Sequence, residues 1–165
     1  MNNNLDRLLA LIKQEADLND RIYKKSSFYY KNNQLLVLKD GLPFLKRLEP
    51  SPVKGKPKLC YKNCFQALWN YPELNYCEGF ATSNEVPIAV SHAWLVNDDS
   101  EVVDPTWDEK YTGCTYFGVV FNKEFLREIA LKTKHYGILD NDYLNEYQLL
   151  REEFPSGALH DKFHS

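Results

Sequence analysis

Cys60, His92 and Asp104 are the side chains of this sequence whose types and neighbours could do covalent chemistry. Cys60 opens the run Cys60-Tyr61-Lys62-Asn63-Cys64. His92 lies in His92-Ala93-Trp94, and Asp104 begins Asp104-Pro105-Thr106-Trp107. A thiol attacks a carbonyl only as thiolate, so it needs a base, and an imidazole base needs a third group to fix its tautomer and orientation. Cysteine, histidine and aspartate in that chain order therefore suggest acyl transfer on an amide through a thioester, resolved by water or an amine. Hydrolysis is the simpler expectation, because nothing marks a second amine site. This chemistry calls for no cofactor, and its partner is a protein, peptide or small amide substrate.

The elements around these residues follow from local pattern. Residues 59–71 read as a helix with Cys60, Cys64, Ala67 and Leu68 on one face, stopped by Pro72. Near a helix N-terminus a thiolate meets unpaired N–H groups and the positive end of the helix dipole, which favour the anion. A backbone N–H there can also hold an oxyanion. Residues 76–81, 88–96, 101–104 and 115–121 read as strands. The polar turn Asn97-Asp98-Asp99-Ser100 makes the second and third of these antiparallel neighbours, with Val96 paired near Glu101.

Upstream, Leu5, Leu8, Leu9, Ile12 and Ala16 recur at helical spacing, with Asn3 or Asn4 as cap. Asn32-Asn33 reads as a turn between strands at 27–31 and 34–39. Residues 49–57, rich in proline and lysine, form a loop leading into the Cys60 helix. Two closing helices are expected at 123–133, capped by Asn122, and at 142–154. The tail, 155–165, is expected to be a loosely ordered extension, or a cover over the cleft. The whole suggests an α+β domain spanning 1–165.

These motifs resemble the transglutaminase-like superfamily of papain-like cysteine enzymes. The resemblance rests on Cys60 with Cys64 four positions on, Glu78-Gly79-Phe80, His92-Ala93-Trp94 and Asp104-Pro105-Thr106-Trp107, and covers about 59–121. It implies a catalytic helix packed on an antiparallel sheet with flanking helices. It also implies Cys60 as nucleophile, His92 as base and Asp104 as orienting acid. Proteases, transglutaminases, peptide deglycosylases and inactive binding relatives share such folds.

Around the three residues, Asn63 and Gln66 are candidate oxyanion donors, and Trp94 and Trp107 could line the acyl-binding cleft. Glu78 could contact substrate, while Gly79 suits close approach of another backbone. Cys64 could trade roles with Cys60, but lies further from the helix start. Cys64, Cys77 and Cys114 are expected to be small core residues. A zinc site built from the cysteines and His92 is disfavoured, because no CxxC pair exists. His135, His160 and His164 receive no role.

The bulk composition sets limits. The 165 residues are 44% hydrophobic and 26% charged, which suits one packed domain rather than disorder. A net charge of −3 gives no pull towards nucleic acid or anionic membranes. Lys54, Lys56, Lys58 and Lys62 flank the cysteine and are expected to solvate the loop. No basic start precedes an apolar core at the N-terminus, and no apolar run could span a bilayer. A cytoplasmic protein with reduced thiols is therefore expected.

Overall fold

The computed structural model describes residues 3–23 and 32–165. Helix α1 (Asn3–Tyr23) is followed by α2 (Asn33–Asp40), strand β1 (Leu42–Phe44) and α3 (Cys60–Asn70). Strands β2 (Asn75–Thr82), β3 (Val90–Val96), β4 (Val102–Val103) and β5 (Thr115–Val120) come next. Then follow α4 (Lys123–Thr133), a 3₁₀ turn (Asp142–Asn145) and α5 (Gln148–Glu152). The strands form one antiparallel sheet in the order β1-β5-β2-β3-β4. The helices and this sheet make a mixed α/β architecture.

The central strands β2 and β5 are buried on both faces along their length, their polar residues Asn75, Glu78, Thr82 and Thr115 included. One face carries Tyr76, Phe80, Ala93, Leu95, Phe117 and Val119 against the helices. The α1 face Leu8, Ile12 and Ala16 is sealed there. Leu8 and Ile12 each contribute about 1.5–3 kcal/mol by leaving water. The other face gathers Phe44, Cys77, Trp94, Val96, Trp107 and Tyr116 in a second cluster. Gly79 and Gly118 sit opposite each other on β2 and β5. A Cβ on Gly79 would overlap the Phe117 carbonyl oxygen, and one on Gly118 would overlap the Glu78 carbonyl oxygen and the Trp94 ring. Close backbone approach, as expected of Gly79, is what the strand pair requires.

Three expectations change, and one strand was not foreseen. Residues 34–39 are helical, because the Asn32 side chain caps α2 by accepting from Leu35 N at 2.8 Å instead of turning a hairpin. Consecutive Leu36 and Val37 are then both buried, which an alternating strand would not allow. The partner strand expected at 27–31 lies outside the described residues. Strand β1 was hidden by its three-residue length, and it holds Pro43 on the edge of the sheet, where proline is tolerated. The helix expected over 142–154 is broken at Glu146 and Tyr147, both with positive φ. There the Asp142 carboxylate accepts from Leu149 N and Leu150 N, capping α5 separately. The tail is not a loose extension. Phe121 bridges Leu159, Ala158 is fully buried, and Val120 N donates to His164 Nε2 at 2.9 Å. His164 thus acquires a structural role as an acceptor.

Asn122 caps α4 as expected, accepting from Glu124 N and Phe125 N. The segment after α4 is pinned to the sheet by Glu78, whose carboxylate accepts from Ile138 N, Leu139 N and the Tyr76 hydroxyl. Burial pushes this carboxyl up to about 7 against those three hydrogen bonds. Glu78 is therefore an internal anchor, only 1% exposed, and no substrate contact. Among the described residues, no helix is long and apolar enough to cross a membrane.

Candidate active site

Cys60 is the first residue of α3. Its N-cap, Leu59, offers no side-chain hydrogen bond, so no side chain occupies the leading N–H groups of this helix. The thiol is partly exposed. In contrast, Cys64 is sealed in the core one turn later, where burial holds its thiol well above the usual range. The choice of Cys60 over Cys64 rests on that difference in access. All four cysteines are free thiols.

His92 lies on β3 opposite Gly79, and Asp104 directly follows β4. The β3–β4 register pairs Leu95 with Val103 and Val96 with Val102, one residue away from the expected pairing. A straight continuation of β4 would set Asp104 opposite Trp94, out of line with His92. Instead the chain leaves the sheet at Asp104-Pro105. Its Oδ1 accepts from Thr106 N at 2.9 Å and Trp107 N at 3.0 Å, closing a tight turn. That turn aims Oδ2 at His92, whose Nε2 donates at 2.9 Å.

Nε2 is thereby committed to the carboxylate, and Nδ1 is left for a second partner. This is the reverse of the ring sense in serine-type triads, where the acid holds Nδ1. Burial opposes the charged imidazole, but the Asp104 charge, its hydrogen bond and contact with the Cys60 thiol prevail and push His92 up to about 9. Burial likewise opposes ionised Asp104. The His92 charge and four hydrogen bonds overcome it and hold the carboxyl below its ordinary value.

The fourth of these bonds comes from Tyr116, whose hydroxyl donates to Asp104 Oδ2 at 2.8 Å. Nothing in the sequence marks Tyr116, which reads as one apolar position on a strand. Tyr116→Phe is expected to destabilise the fold by about 1.5–3 kcal/mol, the usual worth of a hydrogen bond to a charged group. Urea unfolding at pH 7 would check it. Arg47 was equally invisible. Its buried guanidinium donates to the carbonyl oxygens of Trp107, Asp108 and Tyr111, fixing the loop beside the imidazole.

The other candidates divide. Trp107 stacks on His92 with ring centroids 4.4 Å apart and is itself backed by Tyr111 at 5.0 Å. It shields the imidazole. Trp94 is fully buried in the second cluster and cannot line a cleft, because its whole side chain is spent in packing. Asn63 is not an available oxyanion donor. Its Nδ2 donates to Lys56 O at 2.7 Å and Thr106 Oγ1 at 2.9 Å, which uses both amide hydrogens. Gln66 is exposed and its amide reaches only the Tyr136 hydroxyl at 3.5 Å, near the limit of a hydrogen bond.

Beside α3 runs a groove of ≈ 540 Å³, bounded by residues 53–56 on one side and by Leu59, Lys62, Asn63 and Gln66 on the other. Lys54, Lys56 and Lys62 all line it. Among the described residues no group of three or more histidine, cysteine or carboxylate side chains could hold a metal ion. Comparisons with protein-family models, with curated proteins and with solved structures found no match.

Proposed function

We propose that this protein is a thiol hydrolase or acyltransferase acting on an amide through Cys60, His92 and Asp104, with hydrolysis as its main outcome. The observation that carries the reading is one buried imidazole bonded to a buried carboxylate and interacting with the thiol of partly exposed Cys60. In this reading the α/β architecture is a papain-like fold of the transglutaminase type, as the motif resemblance implies.

The steps follow from the geometry. With its proton held on His92 the Cys60 thiol reacts as thiolate, and the sulfur adds to the amide carbon. The uncapped N–H of Cys60 stabilises the resulting oxyanion, a role worth several kcal/mol in acyl transfer. The imidazolium then protonates the departing amine, leaving a thioester. Water attacks the thioester while His92 accepts its proton. The products are a carboxylic acid and the restored thiol. Asp104, held by four donors, cannot swing away, so it keeps the ring aligned through both halves.

Iodoacetamide at neutral pH is expected to alkylate Cys60 first. Cys64 and Cys77 are inaccessible and their thiols are pushed well up by burial, and burial raises half-buried Cys114 to about 11. Peptide mapping of the labelled protein would test this. First modification of Cys114 with Cys60 untouched would overturn the assignment.

A further inference from the structure

The groove beside α3 is built rather than incidental. Gly55 N donates to Pro105 O at 2.7 Å, and Asn63 clamps Lys56 through both its N–H and its carbonyl. A Cβ on Gly55 would overlap the Asn63 amide, so only glycine lets the loop lie this close to α3. The loop carrying Lys54 and Lys56 is therefore tied both to the helix that begins with Cys60 and to the turn that begins with Asp104.

Charge in the groove is of one sign. Three lysines line it and no aspartate or glutamate does. Lys54 is paired with Glu109 at 2.6 Å. Among the described residues, neither Lys56 nor Lys62 has an acidic partner within ion-pair distance, although the chain as a whole is net negative. Leu59, Gln66 and Asn70 continue the same wall along α3. At 1.5 Å per residue that wall runs about 16 Å, enough for four or five residues of extended chain. Gln66 and Asn70 place side-chain amides along it, the groups that pair with a peptide backbone. Val53, Leu59 and Tyr71 supply apolar contact.

We propose that this groove binds the acidic side chains of a peptide substrate, with Lys56 and Lys62 as the cationic contacts that seat the chain beside Cys60. The proposal rests on the reading of Cys60 as nucleophile and names the class of its substrate. A carboxylate within a few residues of the scissile amide would meet one or both ammonium groups. Lys56 lies on the loop before α3 and Lys62 in its first turn, close in the chain to Cys60, which adjoins the groove without lining it.

The test measures how fast iodoacetamide labels Cys60 in the presence of acetylated tetrapeptide amides of glutamate, glutamine or lysine. The glutamate peptide is expected to protect Cys60, more weakly at high salt, and the other two are not. Each single variant, Lys56→Glu or Lys62→Glu, is expected to weaken that protection by about two- to fivefold. In the double variant the preference should invert, with the lysine peptide now protecting. A gain of that kind cannot come from misfolding. Protection by glutarate as strong as by the glutamate peptide would overturn the peptide assignment, in favour of a small dicarboxylate. Labelling of Cys60 that depends on His92 but ignores peptide charge would overturn the groove proposal alone. Absence of labelling at Cys60 would instead sink the nucleophile reading on which it rests.

Discussion

His92→Ala slows alkylation of Cys60 by iodoacetamide at pH 7 by about 10²–10⁴-fold, the range expected when a positioned base is lost. The effect should be this large because the ring is pre-aligned. It is fixed at Nε2 by Asp104, covered on one face by Trp107, and interacts with the Cys60 thiol. An alanine leaves the sulfur in place with nothing beside it to take its proton. Residual labelling should then rise with pH as unassisted thiols ionise. Turnover of any amide substrate should fall at least as far, because the same ring also protonates the leaving amine. Measured pseudo-first-order labelling rates across pH 6–9, with peptide mapping at each point, would decide it. An unchanged rate would mean that Cys60 reacts on its own account, and the triad would be a coincidence of packing.

Asp104→Ala is expected to lower stability by about 3–5 kcal/mol at pH 6, the usual result of removing one partner of a buried charge pair. Three further donors lose their acceptor in that variant, namely Thr106 N, Trp107 N and the Tyr116 hydroxyl. The pH dependence has a definite sign. His92 has its folded value raised to about 9, so its contribution is complete below the unfolded value near 6.5 and is lost as pH climbs through 9. Asp104 has its folded value lowered, so its contribution is complete above the unfolded value near 4 and is lost as pH falls through the folded one. The stability gap between wild type and variant should therefore be widest between about pH 4 and 6.5, and should narrow on the alkaline side. Without Asp104, burial favours the neutral ring with only the Cys60 interaction set against it, so the variant should show much less of that alkaline loss. Urea unfolding of both proteins over this range provides the check. A gap that widens steadily from pH 6.5 to 9 would contradict the charged pair.

Much of the site could be read from residue order because its parts are local. The apolar run of β3 and the turn at Asn97–Ser100 imply neighbouring strands, and Pro72 and the helical spacing of Cys60, Cys64 and Ala67 imply α3. Asn122 as a cap is similarly a matter of a few adjacent atoms. Where the reading failed, a remote partner had intervened. Asn32 has the chemistry of a turn and of a cap equally. Which one it serves depends on whether the following residues pack as a helix against α1, where Asn32 Nδ2 also donates to Ala16 O. Asn63 reads as a free amide in a first helical turn, yet the folded-back loop consumes both its hydrogens. The lysines at 54, 56 and 62 read as loop solvation, and they come to line one groove only when that loop crosses α3.

Residue types and their order alone determined which groups could react: a thiol at a helix start, an imidazole on a strand and a carboxylate after a turn. Only the tertiary structure decided that the imidazole and the carboxylate meet. Strand pairing by itself leaves Asp104 out of line with His92, and the contact forms because the chain turns off the sheet at Asp104-Pro105. Tyr116 and Arg47, from β5 and from the segment after β1, hold that turn and its loop in place through bonds across the fold. Local pattern carries the identity of a donor or acceptor. It carries no record of the distant partner that, once the core is packed, fixes where that group points.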